Sequence, residues 1–178
     1  MSYKTIRNRT EASFTEKKSE FIGYISPAGT EEEAIDFINE IRAMHRKATH
    51  NCYAYILRNN NTGRHSDDGE PGGTAGMPIY DVLSKNGITD VVCVVTRYFG
   101  GILLGTGGLV HAYSKGASMA LANAEIVNME VADSLKISCD YTMYGIVNSV
   151  LPEFESIIRD TEFTAVSYTH LRAHETRG

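Results

Sequence analysis

Residues 96–113, TRYFGGILLGTGGLVHAY, place five glycines, Gly100, Gly101, Gly105, Gly107 and Gly108, around Thr106 and a few positions after Arg97 and Tyr98. Glycines between a buried strand and a helix start let backbone N–H groups converge on a ligand, and the helix N-terminus adds positive partial charge. Arg97 is a bidentate donor, and Thr106 would either cap the helix or contact an anion. Phosphate, free or in a nucleic-acid backbone, suits such a glycine-rich loop. Close packing and a tight connection would require the same glycines, so both readings stand at this level. A Walker loop is excluded because Leu109 follows Gly108 where Lys-[Ser/Thr] is needed. A dinucleotide fingerprint is excluded because Val110 stands where Gly or Ala is needed. No cofactor is therefore implied.

A second group lies in residues 66–76, SDDGEPGGTAG, where Asp67, Asp68 and Glu70 are three carboxylates within four positions. Three roles fit them: a Mg²⁺ site serving a hydrolase, capping of the loop and following helix, or hydrogen bonding to a base such as Arg97. The spacing does not fit an EF-hand loop. A third group is residues 45–52, HRKATHNC, with the densest basic cluster, His45, Arg46 and Lys47, followed by His50 and Cys52. It reads as a helix-end cluster, as a basic edge touching phosphate, or as a Cys–His nucleophile pair, for which no orienting acid is evident. Tyr53, Tyr55, Tyr98, Phe99 and Tyr113 are interleaved with these segments. Exposed, they would stack on bases; core packing is the expectation for Tyr55 and Phe99.

The elements that position these groups follow from periodicity. Residues 21–26 (FIGYIS) and 52–57 (CYAYIL) read as strands, and residues 91–95 (VVCVV) as a buried central strand. Thr30 caps a helix whose Ala34, Phe37, Ile38, Ile41 and Met44 keep helical spacing. Residues 58–76 read as a long polar loop, 77–85 as a short helix closed by Asn86-Gly87, and 109–123 as a long helix rich in small residues. Further strands are expected at 126–131, 135–139 and 163–166, with a turn at Asp133-Ser134 and a helix over 144–154 that Pro152 cuts short. Residues 167–178 show no clear period and read as a disordered or non-native tail.

The 178 residues are 42% hydrophobic and 22% charged, an ordinary globular composition. With 17 basic and 22 acidic residues the net charge is −5, which excludes an overall cationic coat but not a local patch. Cys52, Cys93 and Cys139 have no metal-ligand spacing and read as reduced thiols. No apolar run approaches the roughly 20 residues of a membrane span, and the N-terminus lacks a signal-peptide core. A cytoplasmic protein without membrane contact is expected.

SDDGEPGGTAGMP, followed by GITDVVCVVTRYFGGILLGTGGLVHAYS, resembles the signature of the IMPACT family, which includes bacterial YigZ-like proteins, and THNCYAY resembles its strand-entry segment. His111 takes a place usually held by Arg or Lys in the family, which implies a less cationic site. The resemblance implies an α+β fold. Residues 1–130 would form an α/β sandwich of the ribosomal-protein domain 2 type, like elongation factor G domain IV. Residues 131–166 would form an incomplete ferredoxin-like domain, like elongation factor G domain V, with partly uncovered apolar faces. It further implies a non-enzymatic regulator associated with translation, binding RNA, the ribosome or a protein regulator. The anion site would comprise Arg97, Tyr98, Gly100, Gly101, Gly105, Thr106, Gly107, Gly108 and His111, flanked by Arg46, Lys47 and His50. The alternatives are a metal-dependent hydrolase centred on Asp67, Asp68 and Glu70, or a pure protein-interaction module.

Overall fold

The computed structural model describes residues 2–59, 62–154 and 156–163, and the backbone course of 169–176. The chain is mixed α+β and divides into two units, Tyr3–Asn128 and a second one from Met129 onward.

The first unit is built on a five-stranded sheet of order β2-β3-β6-β4-β5, formed by β2 (Thr10–Glu16), β3 (Ser19–Pro27), β4 (His50–Leu57), β5 (Thr62–Ser66) and β6 (Val91–Tyr98). All its neighbouring strands are antiparallel. β1 (Tyr3–Ile6) and β7 (Ile126–Met129) form a separate two-stranded ribbon. β6 lies at the centre of the sheet, and its β-branched run is buried on both faces as expected. Val91, Cys93 and Val95 point into one apolar cluster, and Val92 and Val94 into another. The first cluster contains α2 (Gly76–Lys85) and α3 (Thr106–Ala122); the second contains α1 (Glu31–Met44).

Local chemistry sets the ends of these helices. The Thr30 hydroxyl accepts from Glu33 N–H at 3.2 Å, and the Glu33 carboxylate accepts from Gly29 N–H at 2.7 Å, a reciprocal cap at the start of α1. Ala34, Phe37, Ile38 and Ile41 are the buried face that the spacing requires. Gly87, at φ 65°, takes the left-handed position after α2. α3 approaches the sheet closely because both surfaces lack side chains: a Cβ at Gly23 would collide with the Gly116 carbonyl. β1, β2 and β5 were not expected. β2 and β5 are edge strands with mixed burial, so their sequences carry no apolar run.

In the second unit, β8 (Ala132–Cys139), α4 (Tyr141–Val150), a 3-10 turn (Leu151–Phe154), β9 (Ile157–Phe163) and β10 (Thr169–Thr176) follow in order. They form an antiparallel sheet of order β8-β10-β9. Two expectations are corrected here. Asp133 and Ser134 form no turn but lie within β8, held opposite Glu175 and His174. Thr169–Thr176, which shows no clear period, is the central strand, paired with β8 on one edge and β9 on the other. Of the strand expected at 163–166, Phe163 ends β9 and the other residues lie outside those described. Pro152 falls just after α4, as expected. Leu151 packs with Ile137, Tyr144 and Val147, while Tyr141 and Ile157 stay 73% and 65% exposed.

Gly23→Ala should lower the unfolding free energy by about 1–3 kcal/mol, because neither colliding backbone can yield without moving α3 off the sheet. Urea denaturation with an unchanged midpoint would contradict this close contact.

Candidate functional site

Arg97 is the penultimate residue of β6, on the α2/α3 side of the sheet, and is 5% exposed. Its Nη1 donates to Glu70 Oε1 at 2.7 Å, and the Tyr113 hydroxyl on α3 donates to the same oxygen at 2.7 Å. Arg97 Nη2 reaches Ser19 Oγ at 3.4 Å, and that hydroxyl also accepts from Gly100 N–H at 3.2 Å. The guanidinium lies 5.6 Å from the Phe21 ring and 5.4 Å from the Phe99 ring. One buried ion pair thus joins β6, the acidic loop, α3 and the start of β3. The charge of Arg97, expected to meet a phosphate, is neutralised internally by Glu70.

The other two acids organise the loop. Asp67 accepts from the N–H groups of Gly73 at 2.8 Å, Ala75 at 3.0 Å and Gly76 at 2.8 Å, closing the loop onto the start of α2. Burial pushes its carboxyl up, but the bonds from Gly73, Gly76 and Ala75, with His65 nearby, outweigh that and hold it below the usual value. Asp68, at φ 44°, accepts from Arg42 at 2.9 Å and from Asn51 N–H at 2.7 Å. The three carboxylates therefore turn to three different partners, and among the described residues no group of metal-ligating side chains converges. Cys52 is buried and donates to the Asp67 carbonyl at 2.9 Å, and burial pushes its thiol up.

Above this brace lies a cleft of about 480 Å³ bordered by His50, Glu70, Arg97, Phe99, Leu103 and Thr106, among others. α3 opens onto it. Its cap residue is Gly105, at φ 76°, with no side-chain cap, and its first turn carries no acid. Leu109 N–H makes the first helical bond, to the Gly105 carbonyl at 2.9 Å, so the N–H groups of Thr106, Gly107 and Gly108 precede it without intrahelical partners. Thr106 is thus the first helical residue rather than the cap. His50 donates from Nδ1 to the Asp68 carbonyl at 2.8 Å, and its Nε2 lies 3.8 Å from Glu70 Oε1.

The five glycines separate by role. A Cβ at Gly100 would collide with the Lys18 carbonyl, which is the packing reading. Gly101 and Gly105 have φ of 83° and 76°, the turn reading. A Cβ at Gly108 would touch Leu104, whereas one at Gly107 would meet nothing within 4 Å, so internal packing does not explain that glycine.

The structure brings Arg97, Gly105, Thr106, His50 and Glu70 together around the cleft. It does not bring Tyr98, whose hydroxyl pairs with His45 Nδ1 at 2.8 Å on the α1 face, as strand alternation requires. Arg46 and Lys47 are exposed in the turn after α1, and His111 is exposed in the second turn of α3. Tyr55 is buried as expected, but Phe99, expected in the core, is 45% exposed at the cleft. Ser19 and Tyr113 were missed as members of the brace. Tyr113 sits two helical turns from Thr106 on the apolar face, a spacing that could have flagged it; no sequence signal marks Ser19.

The fold and site define an α+β domain with an ion-pair-braced cleft at a bare helix N-terminus. The family model of the Impact N-terminal domain matches residues 17–121. The chain is 40% identical over 164 residues to IMPACT family member YvyE of Bacillus subtilis, covering 92% of this chain and 76% of that protein. It is 35% identical over 152 residues to IMPACT family member YigZ of Escherichia coli, covering 84% of this chain and 74% of that protein. A crystal structure of a hypothetical protein superposes with a TM-score of 0.70 at 32% identity, covering 98% of this chain and 85% of the other. The chain belongs to the IMPACT family. Among the described residues no helix is long and apolar enough to cross a membrane.

Glu70→Met should cost about 3–5 kcal/mol by leaving Arg97 buried and unpaired, whereas pairing it with Arg97→Met should recover most of that loss. Additive losses in urea denaturation would show that the two do not act as a unit. Because the Asp67 carboxyl is depressed on folding, its contribution is present above its unfolded value of about 3.9 and lost as pH falls through the folded value. Asp67→Asn should therefore flatten the acid limb of the stability profile below about pH 4. An identical acid limb in both proteins would contradict this.

Proposed function

We propose that this chain is a non-catalytic, cytoplasmic regulator associated with translation, which binds RNA or the ribosome through the cleft at the N-terminus of α3. The observation that carries this reading is the bare first turn: three amide groups without intrahelical partners, no capping side chain, no acid, and an unfilled position at Gly107. Such a terminus attracts phosphate through its N–H groups and its dipole. The exposed Arg46 and Lys47, just upstream of the cleft residues Thr49 and His50, supply flanking positive charge. The association with translation rests on what the family resemblance implies. In the same reading, the first unit is of the elongation factor G domain IV type and the second of the domain V type. The strand–helix–strand–strand order of β8, α4, β9 and β10 supports the latter. A second reading, docking of a protein partner, is favoured by Phe99, Ile102 and Leu103, which are 45%, 41% and 82% exposed on one loop.

Gly107→Asp separates folding from binding. It should raise stability by about 0.5–1 kcal/mol, since it removes a helical glycine and adds an acid to a first turn. It should also weaken single-stranded RNA binding about tenfold or more by occupying the anion site. Lys47→Ala should lower the salt slope of binding by about one unit. Fluorescence anisotropy across a salt series checks both. Unchanged RNA affinity in Gly107→Asp sinks the site, and binding that survives nuclease treatment of a partner extract supports the protein-docking reading.

A further inference from the structure

We infer that the loop-bearing end of the five-stranded sheet is a docking surface for an acidic protein segment that carries apolar anchors. The inference rests on the protein-docking reading of the 99–103 loop and names that partner's chemistry. It does not draw on the α3 terminus.

Strand register gathers three connections at this end. Glu20 of β3 and His50 of β4 lie opposite Tyr98 and Arg97 of β6, so the β2–β3 turn, the α1–β4 turn and the loop after β6 emerge side by side. The loop is fastened on both flanks. Gly100 N–H donates to the Ser19 hydroxyl at 3.2 Å, and a Cβ at Gly100 would collide with the Lys18 carbonyl. Phe99 N–H donates to the Thr49 hydroxyl at 3.0 Å, and Thr49 N–H donates to the Arg97 carbonyl at 2.8 Å. On the loop held this way Leu103 is 82% exposed, beside the half-buried Phe99 and Ile102. Lys17 and Lys18 stand on one flank, Arg46 and Lys47 on the other, and all four are exposed. Among the described residues none of the four has an ion-pair partner. Residues 17–18, 45–49 and 99–105 contain no Asp or Glu; Glu16 and Glu20 lie in the strands behind the turn.

The β2–β3 turn carries an independent mark of function. Glu16 pairs with Ser19, so Lys17 and Lys18 alone make the turn, at φ 44° and 64°. A two-residue turn with both φ positive is the form that Asn-Gly adopts without strain. Lysine in the left-handed region is strained, and such strain gathers at functional sites. The backbone thus favours other residues here, and what two lysines add is charge. Unpaired cations on both flanks of the loop, in a chain of net charge −5, complement an acidic partner. Leu103 and Ile102 select protein over RNA, because single-stranded RNA is held by aromatic stacking and phosphate contacts, which aliphatic side chains do not make. They select protein over a bilayer as well. Binding to a lipid surface scales with the apolar area inserted, and this loop offers a shallow patch with one protruding side chain.

The test places the photo-crosslinking residue p-benzoylphenylalanine at position 103 of the whole chain, in cells of the organism that makes it. The crosslinked peptide is then sequenced by mass spectrometry. It should come from a protein segment rich in Asp and Glu with apolar residues among them. Lys17→Asn combined with Lys18→Gly separates binding from folding. It should raise the melting temperature, because the turn is relieved of strain, and lower the crosslink yield roughly tenfold. Lys17→Glu with Lys18→Glu should abolish the crosslink. Absence of any protein crosslink, or crosslinks to RNA or lipid alone, sinks both the protein-docking reading and this inference. A protein crosslink whose yield ignores Lys17 and Lys18, or whose segment is not acidic, leaves that reading standing and overturns this inference.

Discussion

The buried pair between Arg97 and Glu70 is the constraint on which the rest of the first unit depends. Removing two charges from water is costly unless partners and geometry compensate. Here the compensation comes from four elements at once. Arg97 is delivered by β6, Glu70 by the acidic loop, Tyr113 by α3, and Ser19 by the start of β3. None can shift without stranding a charge, so the loop and the α3 terminus are held against the end of the sheet. The cleft is the space that this arrangement leaves open.

The same pair changes the meaning of the charged residues. Among its bonding groups, Arg97 spends its donors inside the protein, and Asp67 and Asp68 spend their oxygens on backbone N–H groups and Arg42. What remains at the cleft is of another kind: the backbone amides at the start of α3 and the exposed edge of Phe99. That combination suits recognition by hydrogen bonding and stacking. Among the described residues no acids converge as metal ligands, and the Cys52 thiol is buried against the Asp67 carbonyl.

Much of this was legible in the sequence, and the failures share a cause. The central strand, the Thr30 cap and α3 announced themselves because each signal is local: a β-branched run, a hydroxyl three residues before an acid, a block of small residues. The glycines could be located but not sorted, since packing at Gly100, a turn at Gly105 and an open face at Gly107 look alike in one dimension. The pairing of an acid in the 66–76 loop with Arg97 stood as one of three open roles, because a partner 27 positions away leaves no local pattern that selects it. Tyr98 was misplaced by reading adjacency in sequence as adjacency in space, although neighbours on a strand face opposite ways. β10 was missed because its residues show no clear period and its partners, β8 and β9, are set by pairing that no local signal announces.

The central proposal is that the first turn of α3 receives a phosphate of RNA. The most direct test follows amide ¹H–¹⁵N shifts while a short single-stranded RNA is added at constant ionic strength. Saturable shifts confined to Thr106, Gly107, Gly108 and neighbouring cleft residues are the predicted result. Shifts centred on Arg46 and Lys47, with the α3 amides unmoved, would contradict the account.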